Sequence, residues 1–116
     1  MLRKPMQILK PHEHIVLDAL VLGIIPAAAM VDIKNDPNIS SFKVTGNGYF
    51  LTIQHPKLPK ERTVFDTPMV IGECDGVKTG FVVFIENNEL TIECHGLGDD
   101  AIPKDYREFN LQIKKV

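Results

Sequence analysis

One pattern, GFVVFIENNELTIECHGLGDDAIP at residues 80–103, organises the rest of this 116-residue chain. Two apolar-rich segments flank Asn87 and Asn88, and asparagine tolerates the positive φ angles of a tight two-residue turn. With that turn, every second residue of one segment faces an apolar residue of the other. A shift of one residue would exchange the two faces, so the register is strongly specified. The predicted inner pairs are Ile85 with Leu90, Val83 with Ile92 and Phe81 with Cys94.

The other face of this predicted hairpin is mixed in character, because charged, hydroxyl and apolar side chains alternate along it. Such a surface suits partial exposure to solvent or contact with a second layer. The predicted outer pairs are Glu86 with Glu89, Phe84 with Thr91 and Val82 with Glu93.

A second turn signal, Asp75-Gly76, adds a strand from Met69 to Cys74 before the hairpin and builds a three-stranded meander. In this register the two cysteines lie four residues apart along the strands and two strands apart, with roughly 16 Å between their α-carbons. A disulfide cannot span that distance, so Cys74 and Cys94 are predicted to be free thiols. The turn is predicted to place Glu73 opposite Lys78 and Val70 opposite Phe81.

Further strand signals lie on either side of the meander. Asn47-Gly48 is the strongest short hairpin signal in the chain. A final amphipathic strand is indicated by Phe109, Leu111 and Ile113, which alternate with polar residues. The Asn47-Gly48 turn is predicted to place Val44 opposite Leu51 and Phe42 opposite Ile53.

The first third of the chain favours helix. Pro11 suits a first helical turn because no amide donor is needed there, and a helix is predicted from Pro11 to Leu22. Its polar positions, His12, Glu13 and Asp18, are predicted to face solvent. A second short helix is predicted from Pro26 to Ile33, where three alanines favour helix. The apolar stripe of the first helix consists of Val16, Leu17, Leu20 and Val21.

Length and composition restrict the class of protein. At 116 residues the chain suits a single domain, residues 1–116, with one core. Charged residues make up 24% and the net charge is −2, which disfavours a nucleic-acid binder that neutralises many phosphates. Together the elements predict an α+β fold, with one or two N-terminal helices packed on a largely antiparallel sheet of five to six strands.

The long apolar run from Ile15 to Val31 contains Asp18, Gly23 and Pro26, which disfavours a membrane span of about 20 residues. The run is predicted to lie in the core. A signal peptide is the competing interpretation, since basic residues precede the run and three consecutive alanines resemble a cleavage site. Asp18 interrupts the apolar region and Glu13 lies just before it, so we expect a cytoplasmic protein.

His95 with Asp99 and Asp100 is the arrangement closest to an enzyme site, because a histidine beside two carboxylates can serve as a general base or bind metal. A glycine-framed turn explains the same residues equally well, since aspartate bonds backbone amides there. Both interpretations stay open. The His12-Glu13-His14 segment is predicted to be a surface helix start. The candidate site residues are Glu93, His95, Asp99, Asp100 and His55, with no metal or other cofactor expected.

The end of the chain carries a recognisable order of features. It runs from Gly80 and Val-Phe-Ile through Asn87-Asn88, Leu90 and Ile92-Glu93 to Gly98-Asp99 and Pro103. This order resembles a loose group of small bacterial proteins of unknown function, in which N-terminal helices precede hairpins that end near Gly-Asp and Pro. Some members are encoded beside polymorphic toxins, so the resemblance implies an immunity-type role. It implies no catalytic residues.

We therefore expect a non-enzymatic interaction protein that binds a partner protein through a sheet edge or the acidic turn. A basic partner would match the acidic residues of this region. The alternative is a small metal-binding or hydrolytic enzyme centred on His95, Asp99 and Asp100. A third hypothesis is a homo-oligomer that buries Val82 and Phe84. Neither nucleic acid nor a membrane is expected as a partner. The acidic residues are Glu86, Glu89, Glu93, Asp99 and Asp100.

Overall fold

The computed structural model describes residues 8–99 and 101–116. It contains two helices and six strands, which form one antiparallel sheet in the order β1-β2-β5-β4-β3-β6. Both helices contribute to the buried core on one side of this sheet, so the predicted α+β class is confirmed. The elements are α1 (Pro11–Leu20), α2 (Ala27–Asn35), β1 (Asn38–Val44), β2 (Gly48–Gln54), β3 (Thr63–Cys74), β4 (Val77–Glu86), β5 (Glu89–Gly96), a 3₁₀ helix (Tyr106–Glu108) and β6 (Gln112–Lys115).

The β4–β5 hairpin has the predicted register. Asn87 and Asn88 have φ angles of 53° and 63°, a left-handed backbone that asparagine adopts more readily than most residues. The three inner pairs and the three outer pairs all form as predicted. The β3–β4 register and the free state of both cysteines are confirmed as well.

The β1–β2 hairpin differs from its predicted register by two residues. Val44 faces Tyr49 instead of Leu51, because the turn lies at residues 46–47. Gly48 belongs to the strand, where a Cβ would lie 1.9 Å from a carbonyl oxygen of β5. A shift of two residues leaves every side chain on its predicted face. Phe42 likewise faces Leu51 instead of Ile53.

The third and sixth strands differ from the prediction in length. β3 begins at Thr63, well before the predicted start at Met69, and its ladder with β4 is irregular between Phe65 and Val70. β6 is short and pairs with β3. Phe109 and Leu111 precede it, because the 3₁₀ helix extends to Glu108 and delays the start of the strand.

The apolar run from Ile15 to Val31 is only partly buried, so the prediction that it lies in the core is wrong for part of it. Leu22 is 63% exposed and Ile24 is 60% exposed. Both residues lie in the turn between α1 and α2, and within the helices Ile15 and Val31 are 48% and 56% exposed because they lie on the faces that point outward. Neither helix in the described part of the chain is long and apolar enough to cross a membrane.

The sheet has two unlike faces. The inner face, beneath the helices, carries fully buried side chains such as Leu51, Ile92 and Val83. The outer face carries the alternate residues, and among these Phe50 and Phe84 are half-buried. This difference places any exposed site of the sheet on its outer face.

Candidate binding surface

The structure separates the residues of the predicted site. Glu93 and His95 share the outer face of β5, with Glu93 Oε2 3.6 Å from His95 Nδ1. His55 follows β2 at the other end of the sheet, where its backbone N–H donates to a carbonyl of the β4–β5 turn. The length of β5, roughly 20 Å, separates His55 from His95, so the two do not share a site. Asp99 is exposed beyond β5, and Asp100 lies outside the described residues.

His55 has both ring nitrogens engaged. Its Nδ1 accepts a hydrogen bond from the backbone N–H of Lys57 at 3.1 Å. The proton therefore lies on Nε2, which donates to Asp32 Oδ2 at 2.8 Å. This arrangement connects α2 to the loop after β2 and leaves neither nitrogen for a substrate or a metal.

The ring of His95 lies against the outer face in space that the glycine opposite it leaves open. Gly80 pairs with His95 across β4 and β5, and a Cβ at Gly80 would lie 2.7 Å from His95 Nε2. His95 Nδ1 is buried and makes no hydrogen bond within the described chain, since Glu93 is beyond hydrogen-bond range. No group of three or more metal-ligating side chains converges within residues 8–99 and 101–116.

A buried polar network lies at the start of α1, where surface residues were predicted. Glu13 is fully buried and His12 is 3% exposed, so that prediction is wrong. Arg107 donates from Nε and Nη2 to the two carboxylate oxygens of Glu13, each at 2.8 Å. The Tyr49 hydroxyl donates to Glu13 Oε2 at 2.6 Å. Since that hydrogen is used, His12 Nε2 is the donor to the Tyr49 oxygen, 3.0 Å away.

Burial sets the protonation states of this network. It lowers the pKa of His12 to about 4, and it raises the pKa of Tyr49, with the nearby Glu13 carboxylate adding to the effect. For Arg107, burial acts to lower the pKa, but the hydrogen bonds and charge of Glu13 raise it above its ordinary value. At neutral pH the network therefore contains one ion pair with a neutral histidine and tyrosine. Its donors and acceptors bond one another, so we interpret it as structural.

One signal in the sequence indicates this burial. His12 and Glu13 lie one helical turn before Val16 and Leu17, and so they belong to the same stripe of α1. The expectation that charged residues stay in water outweighed this spacing. The partner that permits their burial, Arg107, lies 94 residues away from Glu13 in the sequence.

The best candidate for a binding surface is the outer face of three adjacent strands, β2, β5 and β4. We call this surface the open face. Its apolar members are half-buried, and two threonine hydroxyls of β2 and β5 lie 2.9 Å apart on it. Lys78 lies at the margin of this surface, with its Nζ 3.9 Å from Glu73 Oε1. The open face comprises Phe50, Thr52, Val82, Phe84, Glu86, Glu89, Thr91 and Glu93.

Like charges lie close together at one end of the open face. Glu86 and Glu89 are direct cross-strand partners, a placement that destabilises a hairpin. Arg62 compensates Glu86, with Nη1 3.0 Å from Oε2, and its guanidinium carbon lies 5.2 Å from the centre of the Phe84 ring. Glu89 accepts hydrogen bonds from Gln54 and Ser40 at 3.1 and 3.3 Å, and these neutral donors leave its charge in place.

The surface around these charges is a shallow cleft. It has a volume of about 230 Å³ and is lined by Phe84, Glu86, Asn87, Glu89 and Thr91. An aromatic ring and two carboxylates at one opening suit a cationic group. Comparison of the chain with models of protein families, with curated proteins and with solved structures found no match in any of the three.

Proposed function

We propose that this chain is a non-enzymatic interaction protein whose open face binds a partner protein with a basic surface. One observation carries the proposal: Glu93 on β5 lies between the half-buried side chains of Phe50 and Val82 on the flanking strands, and Glu89 lies on the same face of β5. The apolar side chains provide area to bury, and the carboxylates select a cationic partner.

The immunity-type role implied by the resemblance is part of this proposal. A protein that blocks a toxin needs a complementary surface and no catalytic residues of its own. An acidic, partly apolar sheet face supplies such a surface, because charge attraction speeds association and apolar contact slows dissociation.

The charges also favour a different protein over a second copy of this chain. A two-fold axis along β5 would bring Glu89 and Glu93 of both copies together. Like charges juxtaposed in an interface oppose association. We therefore place a heterologous partner on the open face and not the symmetric copy that Val82 and Phe84 suggest.

A capture experiment tests the proposal. The wild-type chain and the double variant Glu89→Lys, Glu93→Lys are immobilised and exposed to a lysate of the native host at low salt. We expect wild type to retain a stoichiometric basic protein and the double variant to lose it by about tenfold or more, because two attractive charges become repulsive. Wild type that retains no stoichiometric partner contradicts the proposal.

The matched control is Glu73→Lys, which makes the same charge change on the outer face of β3, outside the open face. We expect this variant to retain the partner. Circular dichroism checks that all variants are folded. Equal loss of capture in the control would show a general effect of net charge instead of a defined surface.

The hydrolytic alternative has one observation in its favour, the proximity of Glu93 to His95. The two hypotheses predict opposite results. If His95 is a general base, His95→Ala abolishes hydrolysis of an activated ester such as p-nitrophenyl acetate, and the Glu89→Lys change leaves it intact. If the open face is a protein-binding surface, His95→Ala leaves any such background rate unchanged.

A further inference from the structure

We infer that the open face contains a binding position for a guanidinium group, which Arg62 of this chain occupies until an arginine of the partner replaces it. We call this position, formed by Phe84, Glu86 and Glu89, the guanidinium seat. The inference rests on the proposed function and specifies which type of residue the partner contributes to the contact, namely arginine.

The geometry around Arg62 identifies the chemistry of the seat. A guanidinium is recognised by a carboxylate on its N–H edge and by an aromatic ring on its flat face. Arg62 satisfies both conditions, with Nη1 3.0 Å from Glu86 Oε2 and its central carbon 5.2 Å from the centre of the Phe84 ring. The seat is therefore already shaped for arginine.

The seat is also exchangeable. Arg62 is 60% exposed and Glu86 is 43% exposed, and ion pairs at such exposure contribute little to stability. Arg62 is the last residue of the loop between β2 and β3, and it directly precedes Thr63, where β3 begins. Little stability is therefore lost when Arg62 leaves the seat. A partner arginine that replaces it gains a stronger contact with Glu86, because the partner excludes water from the open face.

A second carboxylate in the seat is only partly used. Glu89 lies opposite Glu86, and its hydrogen-bond donors, Gln54 and Ser40, are uncharged. A guanidinium presents five N–H donors in one plane, enough to bond both carboxylates. Lysine presents a compact point charge, which can lie over a ring but has no planar group to stack flat on it and no fork of parallel donors. The seat therefore favours arginine over lysine.

The spacing of the acidic residues predicts the form of the partner segment. Glu93 follows Glu89 by four residues on β5, roughly 13 Å along the strand, and both point to the outer face. In an extended segment, residues four apart lie on one side at that same spacing. We infer an extended partner segment with arginine at one position and a second cation four residues away.

The test is a titration followed by ¹⁵N-¹H correlation spectra of the full chain. The probes are blocked pentapeptides, Arg-Thr-Val-Thr-Arg and Lys-Thr-Val-Thr-Lys, added to wild type and to Arg62→Gln. We expect shifts at Asn87, Glu89 and Thr91, and about fivefold tighter binding of the arginine peptide to Arg62→Gln, because the competing side chain is gone. We also expect weaker binding of the lysine peptide. Absence of shifts in Arg62→Gln, or equal affinity for the two peptides, overturns the inference.

Phe84→Leu in the Arg62→Gln background is the matched variant, since leucine keeps an apolar side chain without an aromatic face. We expect it to lose the preference for arginine over lysine, and a retained preference would overturn the role of the ring.

The two proposals fail separately. Loss of partner capture in the lysine double variant, with no peptide shifts in Arg62→Gln, rejects the seat and supports the protein-binding surface. Peptide shifts without any captured partner support the seat and reject the wider proposal.

Discussion

At the residue scale, the side chain whose burial depends most on a partner is Glu13. It is fully buried, and Arg107 is the cation that compensates it. Backbone and hydroxyl donors bond the remaining lone pairs, from Lys10 at 2.8 Å and from Tyr49 at 2.6 Å. A buried carboxylate that loses its cation is left with an uncompensated charge. The stability of the whole fold is therefore sensitive to this one pair.

Replacement of Arg107 tests this sensitivity. We expect Arg107→Met to lower the free energy of unfolding by about 3 to 5 kcal/mol, because methionine fills similar space but leaves Glu13 unpaired. Urea denaturation followed by circular dichroism measures the change. Lys78→Thr, which breaks an ion pair in which Lys78 is 63% exposed, should cost less than about 1 kcal/mol. Equal costs would contradict a special role for the buried pair.

His12 makes stability depend on pH within a defined range. Burial lowers its pKa in the folded chain from 6.5 to about 4, so the folded state resists the proton that the unfolded state binds. The resulting stability is fully present above pH 6.5 and is lost as the pH falls toward 4, up to about 3 kcal/mol in all. Urea denaturation at a series of pH values measures this loss.

His12→Gln separates this effect from the titration of carboxylates. Glutamine can still donate to Tyr49 but does not titrate. We expect the variant to lose less stability than wild type between pH 6.5 and pH 4. Parallel pH profiles for the two proteins would show that His12 does not contribute.

At the scale of elements, the β4–β5 hairpin depends on its turn. Asn87 is exposed and has a φ of 53°, where residues other than glycine, asparagine and aspartate are strained by about 1 to 2 kcal/mol. We expect Asn87→Ala to destabilise the chain by about 1 kcal/mol and Asn87→Gly to cost less or to stabilise it. Thermal unfolding of the pair of variants measures the difference. A larger cost for glycine than for alanine would contradict the left-handed conformation.

The two hairpins show what a local pattern can and cannot specify. The β4–β5 register follows from its two asparagines and from period-two alternation, both of which are local. The β1–β2 turn offers two glycines, Gly46 and Gly48, and local chemistry allows either to enter the turn. The close approach of β5 decides between them, because a Cβ at Gly48 would collide with Cys94. Sequence reasoning therefore recovers the hairpin but not its register.

At the scale of the whole molecule, the last residues complete the core around the first helix. Arg107 bonds Glu13, and Tyr106 is 1% exposed with its hydroxyl 3.0 Å from that of Thr79. We expect a chain that ends at Lys104 to lose its cooperative unfolding transition, because Glu13 stays buried without a cation or the helix detaches. Urea denaturation followed by two probes measures cooperativity. A chain that ends at Lys114 keeps both residues and should unfold cooperatively, and a sharp transition in the shorter chain would contradict the expectation.

The candidate site was predictable only in part. Glu86, Glu89 and Glu93 were identified because alternation along the hairpin places them on one face. Arg62 was not identified, because it lies in a loop whose path over Phe84 has no local signal. His55 was grouped with His95 by residue type alone, and the length of the sheet separates them.

By itself, the sequence determined the fold class, the β3–β4–β5 meander and which hairpin residues face outward, since turn chemistry and alternation act over a few residues. Only the tertiary structure decided that Glu13 and His12 are buried and that Arg62 lies over Phe84. The physical reason is that a charged side chain leaves water only where a group of opposite charge or hydrogen-bonding groups lie beside it. The partner of Glu13 lies 94 residues away along the chain, beyond the reach of any local pattern.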